Sequence, residues 1–130
     1  MAVQLPIILL VDDDPEALIL LRRLLHSFAR HYEIVTVESG VEALALTAVR
    51  PVALMITDYH MPGMNGVQLT GAVKAASPET RVAIITAYDV HDVARRAKAV
   101  AADYVLPKPF MLPQLKQMIE ESFPEAQSDG

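Results

Sequence analysis

The chain contains no cysteine, which excludes a disulfide framework and a thiolate metal site and fits a reducing cytoplasm. It has no apolar run near the roughly 20 residues of a membrane span. The longest such run, Leu5 to Val11, is interrupted by Pro6, ends in three aspartates and lacks the basic flank of a signal peptide. Positive charge is scarce: 11 Lys and Arg stand against 16 Asp and Glu, a net charge of −5. Phosphate neutralisation needs a basic stripe, so direct binding of nucleic acid by these residues is not expected. No internal repeat or low-complexity segment is present. The four histidines (His26, His31, His60, His91) share no metal-ligand spacing and read as surface residues.

What is present is a soluble globular pattern. With 52% hydrophobic and 21% charged residues, the chain has enough apolar surface for a core, and 130 residues make one domain. Short apolar runs repeat, and each ends in a polar residue. Ile7-Ile8-Leu9-Leu10-Val11 precedes Asp12 and Asp13. Ala53-Leu54-Met55-Ile56-Thr57 precedes Asp58. Val82-Ala83-Ile84-Ile85 precedes Thr86, and Tyr104-Val105-Leu106-Pro107 precedes Lys108. Runs of this length, rich in Ile and Val and separated by helix-length segments, read as buried strands of a parallel sheet. Ligands of open α/β sheets bind at the carboxyl ends of the strands. The polar residues therefore converge there as three carboxylates, one hydroxyl and one ammonium.

Helix signals fill the intervals. Asp14-Pro15 combines a cap with proline at the first helical position, and Leu18, Leu21, Leu25 and Phe28 share one face of a helix from Glu16 to about Arg30. Glu33 to Val37 is a strand. Ser39 and Glu42 form a capping box for a helix that Pro51 closes. Val52 to Thr57 is the central strand. After it, Met61 to Gly66 is turn chemistry and Val67 to Ala76 a short helix. Arg81 to Ile85 is a strand, Asp89 to about Ala102 a helix, Tyr104 to Leu106 the fifth strand, and Pro113 to Phe123 the last helix. Five βα units predict an α/β fold, a doubly wound three-layer (βα)5 sandwich with right-handed crossovers. Residues 1–124 form the domain, and 125–130 a frayed tail or the start of a linker.

In this order, Val11-Asp12-Asp13-Asp14, Thr57-Asp58-Tyr59-His60-Met61-Pro62-Gly63-Met64-Asn65-Gly66, Ile85-Thr86-Ala87 and Lys108-Pro109-Phe110 resemble the bacterial two-component response-regulator receiver domain, from about Ile7 to Phe123. The resemblance implies a flavodoxin-like parallel sheet of order 2-1-3-4-5. It implies that Asp58 accepts a phosphoryl group from a phosphohistidine, with Lys108 neutralising that group and Thr86 donating a hydroxyl to it afterwards. Three adjacent carboxylates repel by about 4 kcal/mol per pair at 4 Å and an effective dielectric of 20. The implied remedy is Mg2+, with Mn2+ as a substitute. Asp13 and Asp58 would bind it directly, Asp12 partly through water, and His60 through its backbone carbonyl. The implied partners are a sensor histidine kinase or phosphotransfer protein and a downstream effector domain or protein, in the cytoplasm and away from membranes. A phosphorylation-dependent dimer is a further implied assembly. The face of the fourth helix, fifth strand and fifth helix would carry the signal, and the protein would be no enzyme beyond its own phosphorylation and slow dephosphorylation.

Three positions depart from the family. Val105 stands where an aromatic is usual, and strand alternation turns the neighbouring Tyr104 to the opposite side. Ala101 replaces a usual glycine. Met111-Leu112 precede the last helix, read either as a contact surface or as burial on the fifth strand. Two other classes compete on the same residues. A Mg2+-dependent phosphohydrolase would need a second acid near the nucleophile, where His60 stands. A flavodoxin-like cofactor binder would need a phosphate-cradling loop where three aspartates lie.

Overall fold

Strands and helices alternate in the computed structural model, which describes residues 5–26, 31–109 and 112–122. The order is β1 (Ile7–Val11), α1 (Pro15–Leu25), β2 (Glu33–Val37), α2 (Gly40–Val49), β3 (Val52–Asp58), α3 (Gly66–Ala76), β4 (Arg81–Thr86), α4 (Val90–Lys98), β5 (Tyr104–Pro107) and α5 (Leu112–Ser122). All strand pairs are parallel, in the order β2-β1-β3-β4-β5. The order reverses between β1 and β3, so their carboxyl ends diverge into a crevice.

The sheet is buried on both faces, which is why its inner strands read as unbroken apolar runs rather than alternations. Ile7, Leu9 and Val11 of β1 pack with Ala43, Leu69, Val73, Val93 and Ala97 from α2, α3 and α4. Ile8 and Leu10 pack on the other side with Leu18, Leu21 and Leu25 of α1 and Leu115, Met118 and Ile119 of α5. At β5, Val105 joins the first cluster and Tyr104 the second. Tyr104 thus lies across the sheet from α4, and its hydroxyl donates to Glu121 Oε1 at 3.3 Å.

Local chemistry sets the helix ends, with corrections to three expectations. Asp14 caps α1 as read, its Oδ1 accepting from the Glu16 N–H at 3.0 Å. Phe28 and the expected continuation to Arg30 lie outside the described residues, as do Phe123, Met111 and the tail 125–130. Leu112 is 42% exposed. At α2 only half of the capping box forms. Ser39 Oγ accepts from the Glu42 N–H, but Glu42 Oε2 reaches back to the Glu38 N–H at 3.0 Å instead of that of Ser39. The reciprocal box occurs one helix later, between Asn65 and Gln68, and so α3 begins at Gly66 rather than Val67.

The fourth helix ends at Lys98, short of Ala102. Its stop is a left-handed cap: Ala101 has φ +61°, the Ala102 N–H donates to Ala97 O at 3.1 Å and the Ala101 N–H to Lys98 O at 3.2 Å. That is the Schellman pattern, in which the left-handed residue is usually glycine. A Cβ in that conformation costs roughly 1–2 kcal/mol, against roughly 0.5–1 kcal/mol for the extra chain entropy of glycine. Ala101→Gly is therefore expected to stabilise the protein by about 0.5–1 kcal/mol, read as a higher urea midpoint at unchanged slope. A lower midpoint would show that the alanine carries no conformational penalty.

Candidate functional site

Backbone constraints deliver the polar residues to the crevice. β1 ends where the Asp12 N–H donates to Val37 O at 3.3 Å. The Asp12 side chain then folds over the next turn, its Oδ1 accepting from the Asp14 N–H at 2.9 Å. β3 ends in Asp58, whose carbonyl accepts from Thr57 Oγ1 at 3.0 Å. The chain turns sharply there: the Tyr59 N–H donates to Ile85 O at 2.8 Å, and the Gly66 N–H to Tyr59 O at 2.7 Å. A Cβ on Gly66 would lie 2.6 Å from the Asp58 carbonyl oxygen, so only glycine lets α3 start this close to the strand end. β5 is followed by Lys108, whose N–H donates to Thr86 O at 2.7 Å and whose peptide bond to Pro109 is cis.

The side chains meet as the strand ends predict. Carboxylate oxygens of Asp12, Asp13 and Asp58 all lie within 4.8 Å of one another. Lys108 Nζ is 2.9 Å from Asp58 Oδ1 and 3.7 Å from Asp12 Oδ2. Asp12 is buried, Asp58 half-buried and Asp13 exposed. Burial pushes the Asp12 carboxyl above its ordinary value; the Asp14 N–H and Lys108 pull it down, while Asp58 and Asp13 push it further up. Burial alone would lower the Lys108 ammonium, but the hydrogen bond it donates to Asp58 and the charges of Asp58, Asp12 and Asp14 outweigh it and raise its pKa. Lys108 is therefore a cation at neutral pH. Three carboxylates against one ammonium leave two uncompensated negative charges. All the donors are hard oxygens, a set that suits a small divalent cation such as Mg2+.

Thr86 ends β4, 1% exposed. Its Oγ1 accepts from the Tyr88 N–H at 2.9 Å, which leaves its own hydrogen available to donate elsewhere. The His60 ring is exposed, on the loop after β3, and lies 5.4 Å from the Tyr88 ring at a 53° tilt. The structure therefore gathers Asp12, Asp13, Asp58 and Lys108 in direct proximity, with Thr86 on the adjacent strand end. The turn at Asn65-Gly66 brings the backbone beside the site, as its residues suggest, while the packing of Tyr88 on the His60 ring had no signal in the sequence. Asn65-x-x-Gln68, a capping-box spacing, was a sequence signal for the tight start of α3.

A family model described as "Response regulator receiver domain" matches residues 8–120. The chain belongs to the response regulator receiver domain family. Among its relatives are the response regulator protein FleR of Pseudomonas aeruginosa, 36% identical over 76% of this chain and 22% of that protein, and the transcriptional regulatory protein GlrR of Escherichia coli, 35% identical over 92% of this chain and 26% of that protein. The virulence sensor protein BvgS of Bordetella bronchiseptica is 34% identical over 88% of this chain and 10% of that protein. This receiver domain spans about a quarter or less of the curated relatives it matches. Solved structures agree in fold. A receiver domain protein from Clostridium thermocellum superposes with a TM-score of 0.83 at 26% identity, covering 97% of this chain and 100% of that one. The response regulator TrrA of Thermotoga maritima, solved with Mg2+ and BeF, does so with a TM-score of 0.79 at 30% identity, covering 91% and 99%.

Two outcomes follow for the receiver domain. Gly66→Ala forces Cβ into the Asp58 carbonyl and is expected to cost about 1–3 kcal/mol by chemical denaturation; an unchanged midpoint would show that the turn relaxes freely. Asp12 titrates higher folded than unfolded. Its stabilising contribution is thus present below the ordinary value of 3.8 and is lost as pH rises through the raised folded value. Asp12→Asn should then stabilise the chelator-treated protein at neutral pH relative to the parent, with the gap closing as pH falls below about 4. A gap independent of pH would assign the effect to packing instead.

Proposed function

We propose that this receiver domain is a phosphoryl-accepting switch in which Asp58 is the acceptor. The observation that carries this reading is the Lys108 ammonium 2.9 Å from Asp58 Oδ1, at the end of the central strand and inside a group of three carboxylates. One Asp58 oxygen attacks the phosphorus of a phosphohistidine donor while the bond to the donor nitrogen breaks. The product is an aspartyl phosphate. Such a transfer passes through a loose transition state, so positioning and charge neutralisation are what the protein must supply. Lys108 supplies one positive charge to the transferring oxygens. Asp13 and Asp58, with Asp12 partly through water and the His60 carbonyl, would hold Mg2+, or Mn2+ in its place. The ion would cancel the remaining negative charge and let an anionic donor approach.

The signal then passes through Thr86. Its hydrogen is free to donate to a phosphoryl oxygen while its Oγ1 keeps the Tyr88 N–H. Movement of Thr86 toward Asp58 would therefore draw Tyr88 and the start of α4 with it. This route needs no aromatic at position 105, where the chain has valine. The changed face of α4, β5 and α5 would be read by an effector domain or partner, and a sensor histidine kinase or phosphotransfer protein would supply the phosphoryl group. Phosphorylation would also drive dimerisation.

Incubation with acetyl phosphate and millimolar Mg2+ should add one phosphoryl group, read by intact mass. Chelation of the metal and Asp58→Asn should each abolish it. Thr86→Ala should keep the labelling yet lose the amide shifts at residues 86–92 that accompany it. Equal labelling of Asp58→Asn would overturn the assignment.

A further inference from the structure

The chain has a single asparagine, Asn65, and it precedes a glycine. This dipeptide is prone to cyclise, because glycine carries no Cβ to keep its nitrogen away from the preceding side-chain amide. Water is the one co-reactant. The Gly66 nitrogen, having given its proton to hydroxide, forms a bond to Cγ of Asn65. The bond from Cγ to the side-chain nitrogen breaks, and that nitrogen leaves as ammonia with a proton from water. Water then opens the resulting five-membered imide at either carbonyl. One opening leaves an aspartate at position 65. The other leaves an isoaspartate, in which the main chain runs through the former side chain.

The fold opposes each step. Gly66 is buried, and its N–H donates to Tyr59 O at 2.7 Å, so the nitrogen that must lose a proton is committed to a carbonyl. Asn65 Oδ1 accepts from the Gln68 N–H at 2.8 Å, and Gln68 Oε1 accepts from the Asn65 N–H at 2.9 Å. The Gly66 carbonyl accepts from Thr70 Oγ1 at 2.7 Å. The side-chain amide that must swing onto the Gly66 nitrogen is thus the cap of α3. Ring closure requires that first turn to open.

We infer that Asn65-Gly66 is a deamidation site held shut by the capping box of α3, its rate set by opening of the turn behind Asp58. The consequence falls on the crevice. A Cβ on Gly66 would lie 2.6 Å from the Asp58 carbonyl oxygen, so the chain has no slack at that contact. An isoaspartate adds a carbon to the main chain immediately before it, and α3 no longer starts against the strand end. A transient opening of the turn is thereby converted into a lasting displacement beside Asp58. An aspartate product, by contrast, retains an oxygen that caps the helix.

The test ages the whole chain in warm, mildly alkaline buffer, folded and in guanidinium, and reads isoaspartate at position 65 by peptide mapping. The folded protein is expected to react roughly tenfold or more slowly than the unfolded chain, because the turn must first open locally. Gln68→Ala removes the acceptor of the Asn65 N–H and should raise the folded rate about fivefold, the equivalent of one hydrogen bond. Gln68→Glu keeps an acceptor there and should keep the parent rate. Chain aged in guanidinium and refolded should melt below freshly refolded parent. Equal rates folded and unfolded, or a Gln68→Ala rate equal to that of the parent, would overturn the gating. The comparison of folded with unfolded parent decides it even where the variant folds poorly. Absence of isoaspartate in guanidinium would overturn the site itself, and unchanged melting of the aged chain would overturn its link to the Asp58 turn.

Discussion

Everything at the carboxyl edge of this sheet answers to the repulsion among three carboxylates whose oxygens lie within 4.8 Å of one another. In a half-buried crevice such charges cannot be left bare. One is partly offset by a backbone N–H, from Asp14 to Asp12, and one by an ammonium, from Lys108 to Asp58. The remainder is a standing negative potential that favours cations and repels a phosphate donor until a cation is present. The same repulsion that weakens the metal-free fold thus makes the site responsive to ions, and any group that adds or removes charge at Asp58 changes the energy of all its neighbours.

Holding that arrangement requires the backbone to approach itself closely. Gly66 sits against the Asp58 carbonyl, the Tyr59 N–H is tied to β4 and the Lys108 N–H to Thr86. The loops after β3, β4 and β5 therefore form one hydrogen-bonded rim. A displacement at Thr86 is not local to β4. It reaches Lys108 through a main-chain hydrogen bond and Tyr88 through another, and Tyr88 touches the His60 ring. Val105 lies apart from this rim, packed with the cluster that holds Val93 and Ala97 of α4. Tyr104 does not replace the missing aromatic, since it packs with α1 and α5 on the opposite side of the sheet.

The apolar surface next to this rim has a different origin. α1 presents Leu18, Leu21 and Leu25 to the core while Ile19 and Leu20 remain exposed. A helix that only covered a sheet would carry polar residues on its outer side. Retaining large aliphatic groups there costs solubility and leaves an apolar strip on the outer side of α1.

The five-unit alternation, the strand ends to within one residue (β3, β4 and β5 run on to Asp58, Thr86 and Pro107) and the meeting of Asp12, Asp13, Asp58 and Lys108 were determined by the sequence by itself, because both-face burial writes an unbroken apolar run and the first polar residue at its end marks the crevice. Asp14 was likewise readable as a cap, since an Asp-Pro pair acts within two residues. Helix ends set by competition were not. Glu42 could answer Ser39 or Glu38, and the choice depended on how β2 delivers the chain. The stop of α4 depended on Ala101 taking a left-handed conformation that its own side chain disfavours. The pairing of His60 with Tyr88 and the hydrogen bonds that tie Tyr59 to Ile85 and Lys108 to Thr86 were decided only by tertiary structure. Each joins residues from different βα units, and distances across units follow from sheet packing, which no local pattern encodes.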